Sequence, residues 1–226
     1  MELSTIITGS HGRIGKIITP YLMDKYLCKY ILVDKKNPIY PLDILKDDFP
    51  NRSDALIHLA ANPDPFIERD EARKNVDITK KIIKNLENNG TVKLIVNASS
   101  INVYNYRDLE KITLETPLDA NRAFNKNGYY GLAKIESESL LNEYCRRSHT
   151  TLLNLRLGWV SENDKHPPNA EDRPHPRDLE IALKHNDLKI IFEKCLTERL
   201  PYSRTLNFVC ISKKESFIGS DIRFPI

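Results

Sequence analysis

Several things are scarce in this chain of 226 residues. Cysteine occurs four times, at 28, 145, 195 and 210, too widely spaced to match any metal-ligand pattern. Free thiols are the expectation, and with them a reducing, cytoplasmic compartment. The first apolar run begins within a few residues of Met1, which leaves no place for a signal peptide and agrees with that compartment. No apolar run approaches the roughly 20 residues that span a bilayer, so a membrane is not an expected partner. Charge of one sign is also lacking. Lys and Arg number 34 against 31 Asp and Glu, and a net +3 is too small to argue for nucleic acid or an anionic surface. Lys80, Lys81 and Lys84 fall on a predicted helix and read as its solvated face. Internal repeats and low-complexity tracts are absent. What remains is an ordinary globular composition, 40% hydrophobic and 29% charged, at a length that buries a substantial core in one or two domains.

Glycine is sparse too, eight in all, yet three of them stand at 9, 12 and 15 in "TGSHGRIG". A short apolar, β-branched run, Leu3 to Thr8, precedes them and reads as a strand. After them Ile14, Ile17, Ile18, Tyr21, Leu22 and Leu27 recur at roughly helical spacing, with Pro20 as a potential kink. Strand, glycine turn and helix form the context of a dinucleotide fingerprint. Gly9 permits the sharp turn, Gly12 lets backbone N–H groups reach a pyrophosphate, and Gly15 lets helix and strand pack closely. The spacing is G-x-x-G-x-x-G, so the glycines alone leave a plain tight turn open.

The rest of the chain alternates strand and helix signals. Strands are predicted at 29–34, 54–60, 92–99, 150–158 and 206–212, and helices at 71–90, 129–148 and 187–196. This alternation implies right-handed parallel crossovers, with helices on both faces of one sheet. The expected fold is therefore α/β, a Rossmann-type doubly wound parallel sheet. A nucleotide-binding domain over 1–158 is expected to be followed by a small, shortened substrate-binding portion over 159–226. Residues 163–178 are proline-rich, without apolar periodicity, and read as a loop. His166 and His175 within it have no second pair of ligands in register, and no metal is expected.

Three positions carry chemistry. Asp34 ends the second predicted strand about 20 residues after the turn, where an acid accepts from the adenosine ribose 2′-OH and repels a 2′-phosphate. Arg13, Lys35 and Lys36 stand nearby and leave NADP open, with NAD as the expected cofactor. Tyr130 and Lys134 are four apart and share a helix face. A tyrosine of pKa near 10 is a poor base, but a lysine one turn away, with a positive nicotinamide, brings it down toward use. Ser99 and Ser100 end a predicted parallel strand at the edge where open α/β sheets bind ligands, and a serine there orients the oxygen that Tyr130 deprotonates.

Together these motifs resemble an extended short-chain dehydrogenase/reductase of the NAD-dependent epimerase/dehydratase family, through most of residues 3–212. "TGSHGRIG" is similar to the family's TGxxGxxG, which implies cofactor contacts from Gly9, His11, Gly12, Arg13, Ile14 and Gly15. Asp43 resembles the acid that contacts adenine after the family's third strand. Leu59, Ala60 and Ala61 resemble the segment lining the cofactor, and Asn75 with Val76 the pair on the next helix. "SSINVY", "YGLAK" and "LRLG" resemble the serine strand, the Tyr–Lys pair and the strand leading to substrate. The compact sugar and uronate dehydrogenases are the most similar members. Two departures stand out. Ile101 and Asn102 follow Ser100 where the uronate enzymes have Asn-His, and Trp159 replaces their serine. Asn102, Trp159, Arg173 and Arg177 are the candidate substrate contacts, an arginine being suited to an anionic group.

The resemblance implies an NAD-dependent oxidoreductase that oxidises a hydroxyl of a sugar, sugar acid or sugar phosphate, with Tyr130 as base, Lys134 as its modulator and Ser100 as orienting donor. A nucleotide-sugar epimerase or dehydratase is the first alternative, and a non-catalytic NAD-binding module the second. The family also implies a homodimer, joined through the helices 71–89 and 129–148. A carbohydrate is the expected small-molecule partner.

Overall fold

A computed structural model describes residues 4–49, 53–90, 92–104, 128–164, 182–198 and 203–210. The elements run β1 (Ser4–Thr8), α1 (Arg13–Lys25), β2 (Lys29–Val33), β3 (Ala55–His58), α2 (Arg69–Asn89), β4 (Leu94–Ser100), a 3₁₀ turn (Ile101–Val103), α3 (Tyr129–Ser148), β5 (Thr151–Leu157), α4 (His185–Thr197) and β6 (Thr205–Cys210). All six strands are parallel, in the order β2-β1-β3-β4-β5-β6. The Rossmann-type doubly wound sheet is thus present as expected. Helix α1 continues through Pro20 as one element. Helix α2 stops at Gly90, whose φ of 115° closes the end by donating to the Leu86 carbonyl.

Residue parity explains why both faces are covered. Neighbouring residues on a strand point to opposite faces. Ile7, Ile57, Val96 and Leu153 pack with Ile18 and Leu22 of α1 and with Leu188, Ile191 and Phe192 of α4. Their neighbours Ile6, Leu56, Ile95 and Leu152 pack with Ile82 and Leu86 of α2 and with Leu141 and Tyr144 of α3. Every residue of β3 and β5 is buried, as the continuous apolar runs of a doubly covered sheet require. The described part of the C-terminal portion, α4 and β6, packs on this same sheet.

Two details depart from simple expectation. Between β2 and β3 the described residues form turns and coil, so Asp43 follows no third strand here. Pro38 and Pro41 lack the N–H a ladder needs, and the Asn37 side chain instead caps the turn by accepting from Ile39 and Tyr40. The second detail is polar. Asn97, Asn154 and Asn207 are in register on β4, β5 and β6, and their amides form a chain of hydrogen bonds, 2.9 and 3.0 Å long. Among the described residues no helix is long and apolar enough to cross a membrane.

Candidate active site

β1 and β3 are neighbours, while the chain leaves β1 in one direction to β2 and returns on its other side to β3. That reversal opens a crevice beyond the carboxyl ends of the strands, the usual ligand position in open α/β sheets. A cavity of about 1040 Å³ lies there. It is at the upper end of the ~300–1,000 Å³ usual for small-ligand sites, so it has room for a cofactor and a substrate together.

The glycine turn forms the cavity floor. Gly9 has φ of 71°, and a Cβ on it would stand 2.7 Å from the Ala60 backbone nitrogen. A Cβ on Gly15 would meet the Gly9 and Ser10 carbonyl oxygens at 2.3 and 2.4 Å. Gly15 therefore lets α1 close onto the turn itself more than onto the strand. Gly12 is the N-cap of α1 and has no side chain to satisfy the first-turn N–H groups, which line the cavity with Arg13, Ile14 and Gly15. An α-helix leaves those donors without an internal acceptor, so they suit a pyrophosphate. The cradle fits the expected dinucleotide.

Asp34 lies at the same end, and both its oxygens are engaged. The His11 N–H donates to Oδ2 and the Lys36 N–H to Oδ1, each at 2.8 Å. The carboxylate thus ties the glycine turn to the β2 end while lining the cavity. His11 differs from expectation: its ring hydrogen-bonds Ser10 rather than lining the cavity, so its role here is the backbone donor to Asp34. Asp43 lines the cavity and accepts from the Leu45 N–H. Leu59, Ala60 and Ala61 form the wall after β3. Asn75 holds that wall in place, accepting from the Asn62 N–H at 2.7 Å and donating to its carbonyl at 3.1 Å.

Ser100, Tyr130 and Lys134 meet on the other side. All three line the cavity, and all are buried. Ser100 comes from the end of β4, where its hydroxyl accepts from the Asn102 N–H. Tyr130 and Lys134 come from the first two turns of α3. The Lys134 ammonium lies 5.7 Å from the Tyr130 ring centroid and donates to the Ala98 carbonyl at 2.7 Å. Pairing of β3 with β4 stops at Asn97, one residue earlier.

Burial dominates the titration of both Tyr130 and Lys134 in the protein by itself. Burial pushes the Tyr130 phenol up to about 12, against the opposing pull of the Ser100 hydroxyl and the Arg13 charge. Burial also brings Lys134 down to about 8, with the Glu138 charge acting the other way. In the protein by itself Lys134 does not lower the tyrosine, because its ammonium is held by Ala98 and desolvation disfavours both charged forms.

Three important residues, Arg156, Glu138 and Tyr104, were not singled out from the sequence. Arg156, fully buried on β5, donates Nε and Nη2 to Glu138 of α3 at 3.1 and 2.9 Å. Its Nη1 donates to the Tyr104 hydroxyl at 2.8 Å, and Ser99 donates its hydroxyl to Glu138. An arginine inside the apolar run "TLLNLRL" was the available signal, since buried charges require partners. His58, at the end of β3, is fixed between Thr8 and Thr79.

Asn102 and Trp159 line the cavity as expected of substrate contacts. Trp159 also accepts from the Leu183 N–H, joining the β5 end to the segment before α4. Arg173, Arg177, His166 and His175 lie outside the described residues. Arg13 reaches from α1 to the Val160 carbonyl and to Glu162, so it borders both halves of the cavity.

A doubly wound sheet with a glycine turn, a strand-end acid and a Ser–Tyr–Lys set at one edge defines a nucleotide-dependent oxidoreductase of the short-chain type. The chain belongs to the NAD dependent epimerase/dehydratase family, whose model matches residues 5–187. It is an enzyme of that family, with NAD as its cofactor. An NAD-dependent glucose-6-phosphate dehydrogenase of Haloferax volcanii is 26% identical over 224 residues, covering 89% of this chain and 83% of that one. A glucuronic acid dehydrogenase from Chromohalobacter salexigens superposes with a TM-score of 0.72 at 20% identity, over 95% of this chain and 78% of the other. MoeE5, solved with UDP-glucuronic acid and NAD, gives a TM-score of 0.73 at 17% identity, over 95% and 78%.

Proposed function

We propose that the protein oxidises a hydroxyl of a sugar, sugar acid or sugar phosphate, with net reduction of NAD. The observation that carries this reading is the convergence of Ser100, Tyr130 and Lys134 on the cavity that also holds the glycine turn and Asp34. Sugar-oxidising relatives support the substrate class.

The first-turn N–H groups of α1 would hold the pyrophosphate, Asp34 the adenosine ribose, Asp43 the adenine, and Lys134 the nicotinamide ribose, with the Tyr130 ring beside it. Bound NAD would supply the two-electron acceptor and the positive charge of its nicotinamide. Tyr130 takes the proton of the substrate hydroxyl at its phenolic oxygen, and the Ser100 hydroxyl donates to the same substrate oxygen to fix its position. At about 12 the phenol is too weak an acid to ionise at neutral pH, so proton transfer needs additional positive charge nearby. Arg13 already pulls in that direction, and Lys134, 5.7 Å from the Tyr130 ring centroid, is close enough to add to it with NAD bound. Trp159 and Asn102 border the space left for the sugar.

The test is a panel of aldoses, uronates, sugar phosphates and nucleotide-sugars, followed by NADH absorbance. On the best substrate Tyr130→Phe is expected to reduce turnover by roughly 10²–10⁴, the usual worth of a positioned acid–base group, while NAD affinity barely changes. Near-normal kcat in Tyr130→Phe would overturn the assignment. Turnover of a nucleotide-sugar without net NADH would replace the dehydrogenase by an epimerase or dehydratase.

A further inference from the structure

The polar group beneath the active site joins every element that carries a reacting side chain. Glu138 stands one turn after Lys134 on α3, both buried. Its carboxylate accepts from Ser99, the residue between Ala98, which holds the Lys134 ammonium, and Ser100. Arg156 grips that carboxylate with two nitrogens and reaches Tyr104 with a third, its guanidinium 5.2 Å from the Tyr104 ring centroid. Tyr104 closes the 3₁₀ turn that bears Asn102. Positive, negative and positive charges therefore alternate through the interior as Lys134, Glu138 and Arg156.

We infer that Glu138, fixed by Arg156, is a positioning residue for catalysis: its negative charge keeps the buried Lys134 ammonium protonated and its hydrogen bond to Ser99 sets the end of β4. This rests on the roles proposed above for Lys134 and Tyr130. An ammonium in this interior loses its hydration and tends to shed its proton. Among the described residues, the titratable groups that face it are Tyr130 and Glu138 on α3 and His58 on β3, with Arg156 of β5 joined to Glu138, Tyr104 to Arg156, and Arg13 of α1 acting on Tyr130. Burial holds His58 neutral, with a pKa of about 3. Glu138 is the anion in that set, and it opposes the loss of the Lys134 proton. Arg156 gives that buried carboxylate its partner, through two hydrogen bonds that fix it in place.

The Lys134 titration can be followed directly by NMR of ¹³C-labelled lysine, with Lys134→Met used to assign the signal. In Glu138→Gln the Lys134 midpoint is expected to fall by about 1 unit or more, the usual effect of one nearby opposite charge. The alkaline limb of kcat should move down with it. Glu138→Asp keeps the charge and should hold the midpoint near its starting value even where turnover falls. If Glu138→Gln does not fold, the double variant Glu138→Gln, Arg156→Met removes both charges together and should give a smaller fall, because the positive charge of Arg156 leaves with the negative one. A Lys134 midpoint unchanged in the uncharged variants would overturn the inference and leave Glu138 a packing bridge. Because the NMR midpoint needs no turnover, it decides the matter even if Tyr130→Phe shows that the dehydrogenase reading fails.

Discussion

His58 makes the residue scale concrete. It is enclosed by β3, Thr8 and Thr79, and burial, aided by the Lys134 charge, lowers its pKa to about 3. In the unfolded chain the same imidazole titrates near 6.5. Between those values the unfolded state binds the extra proton, so stability rises with pH across the window and is lost as pH falls. From pH 7 to pH 5 this one group should cost ~2 kcal/mol, since each unit of mismatch is worth ~1.4 kcal/mol. Urea midpoints at the two pH values test it: His58→Gln should flatten the dependence, and an equally steep loss in that variant would assign the effect to other groups. Ser100, Tyr130 and Lys134 could be singled out from the sequence because each belongs to a local motif, and the fold brings them to one cavity. The sequence did not reveal Glu138 and Arg156, whose partnership exists only once β5 lies beside β4 and beneath α3.

At the scale of elements, the turn between β1 and α1 has the least freedom. Gly15→Ala would push a methyl into two carbonyl oxygens of the backbone, which have no rotamer to yield. The expected result is ~1–3 kcal/mol of lost stability and a drop in NAD affinity of at least tenfold, or ~1.4 kcal/mol. Calorimetric titration reads the second and thermal melting the first. Gly128→Ala is the control, because a Cβ there meets nothing within 4 Å. Wild-type binding in Gly15→Ala would show that the turn relaxes freely. The elements themselves were legible from periodicity to within a few residues, β5 at 151–157 against the expected 150–158. The adenine side was harder to read. Asp43 matched a motif, but the prolines that prevent a strand before it act through missing ladder donors, which apolar periodicity does not register.

For the whole molecule, the expected homodimer is a proposal that the surface of α2 and α3 makes specific. Much of the apolar second face read from the sequence is consumed internally: Ile82 and Leu141 are fully buried, and Ile78 lines the cavity. What stays exposed there is Tyr129 and Leu132, at 48% and 46%, around a groove with Arg73, Lys80 and Glu136. If two copies pair through this face, Leu132→Glu should shift sedimentation from dimer to monomer at micromolar concentration. A wild-type chain that is already monomeric there would remove the proposal. The asparagine ladder governs how such a molecule reaches its shape. Its three rungs lie more than 50 residues apart along the chain, 57 and then 53, so they join only after distant segments have met. A strand docked one residue out of step turns its asparagine to the opposite face and strands the neighbouring amides, at ~1–3 kcal/mol for each group left unsatisfied. Apolar side chains on a doubly covered sheet barely distinguish one register from the next, because both faces are greasy. The amides do, and so the ladder acts as a proofreader, rejecting misaligned intermediates before the catalytic edge is assembled upon them.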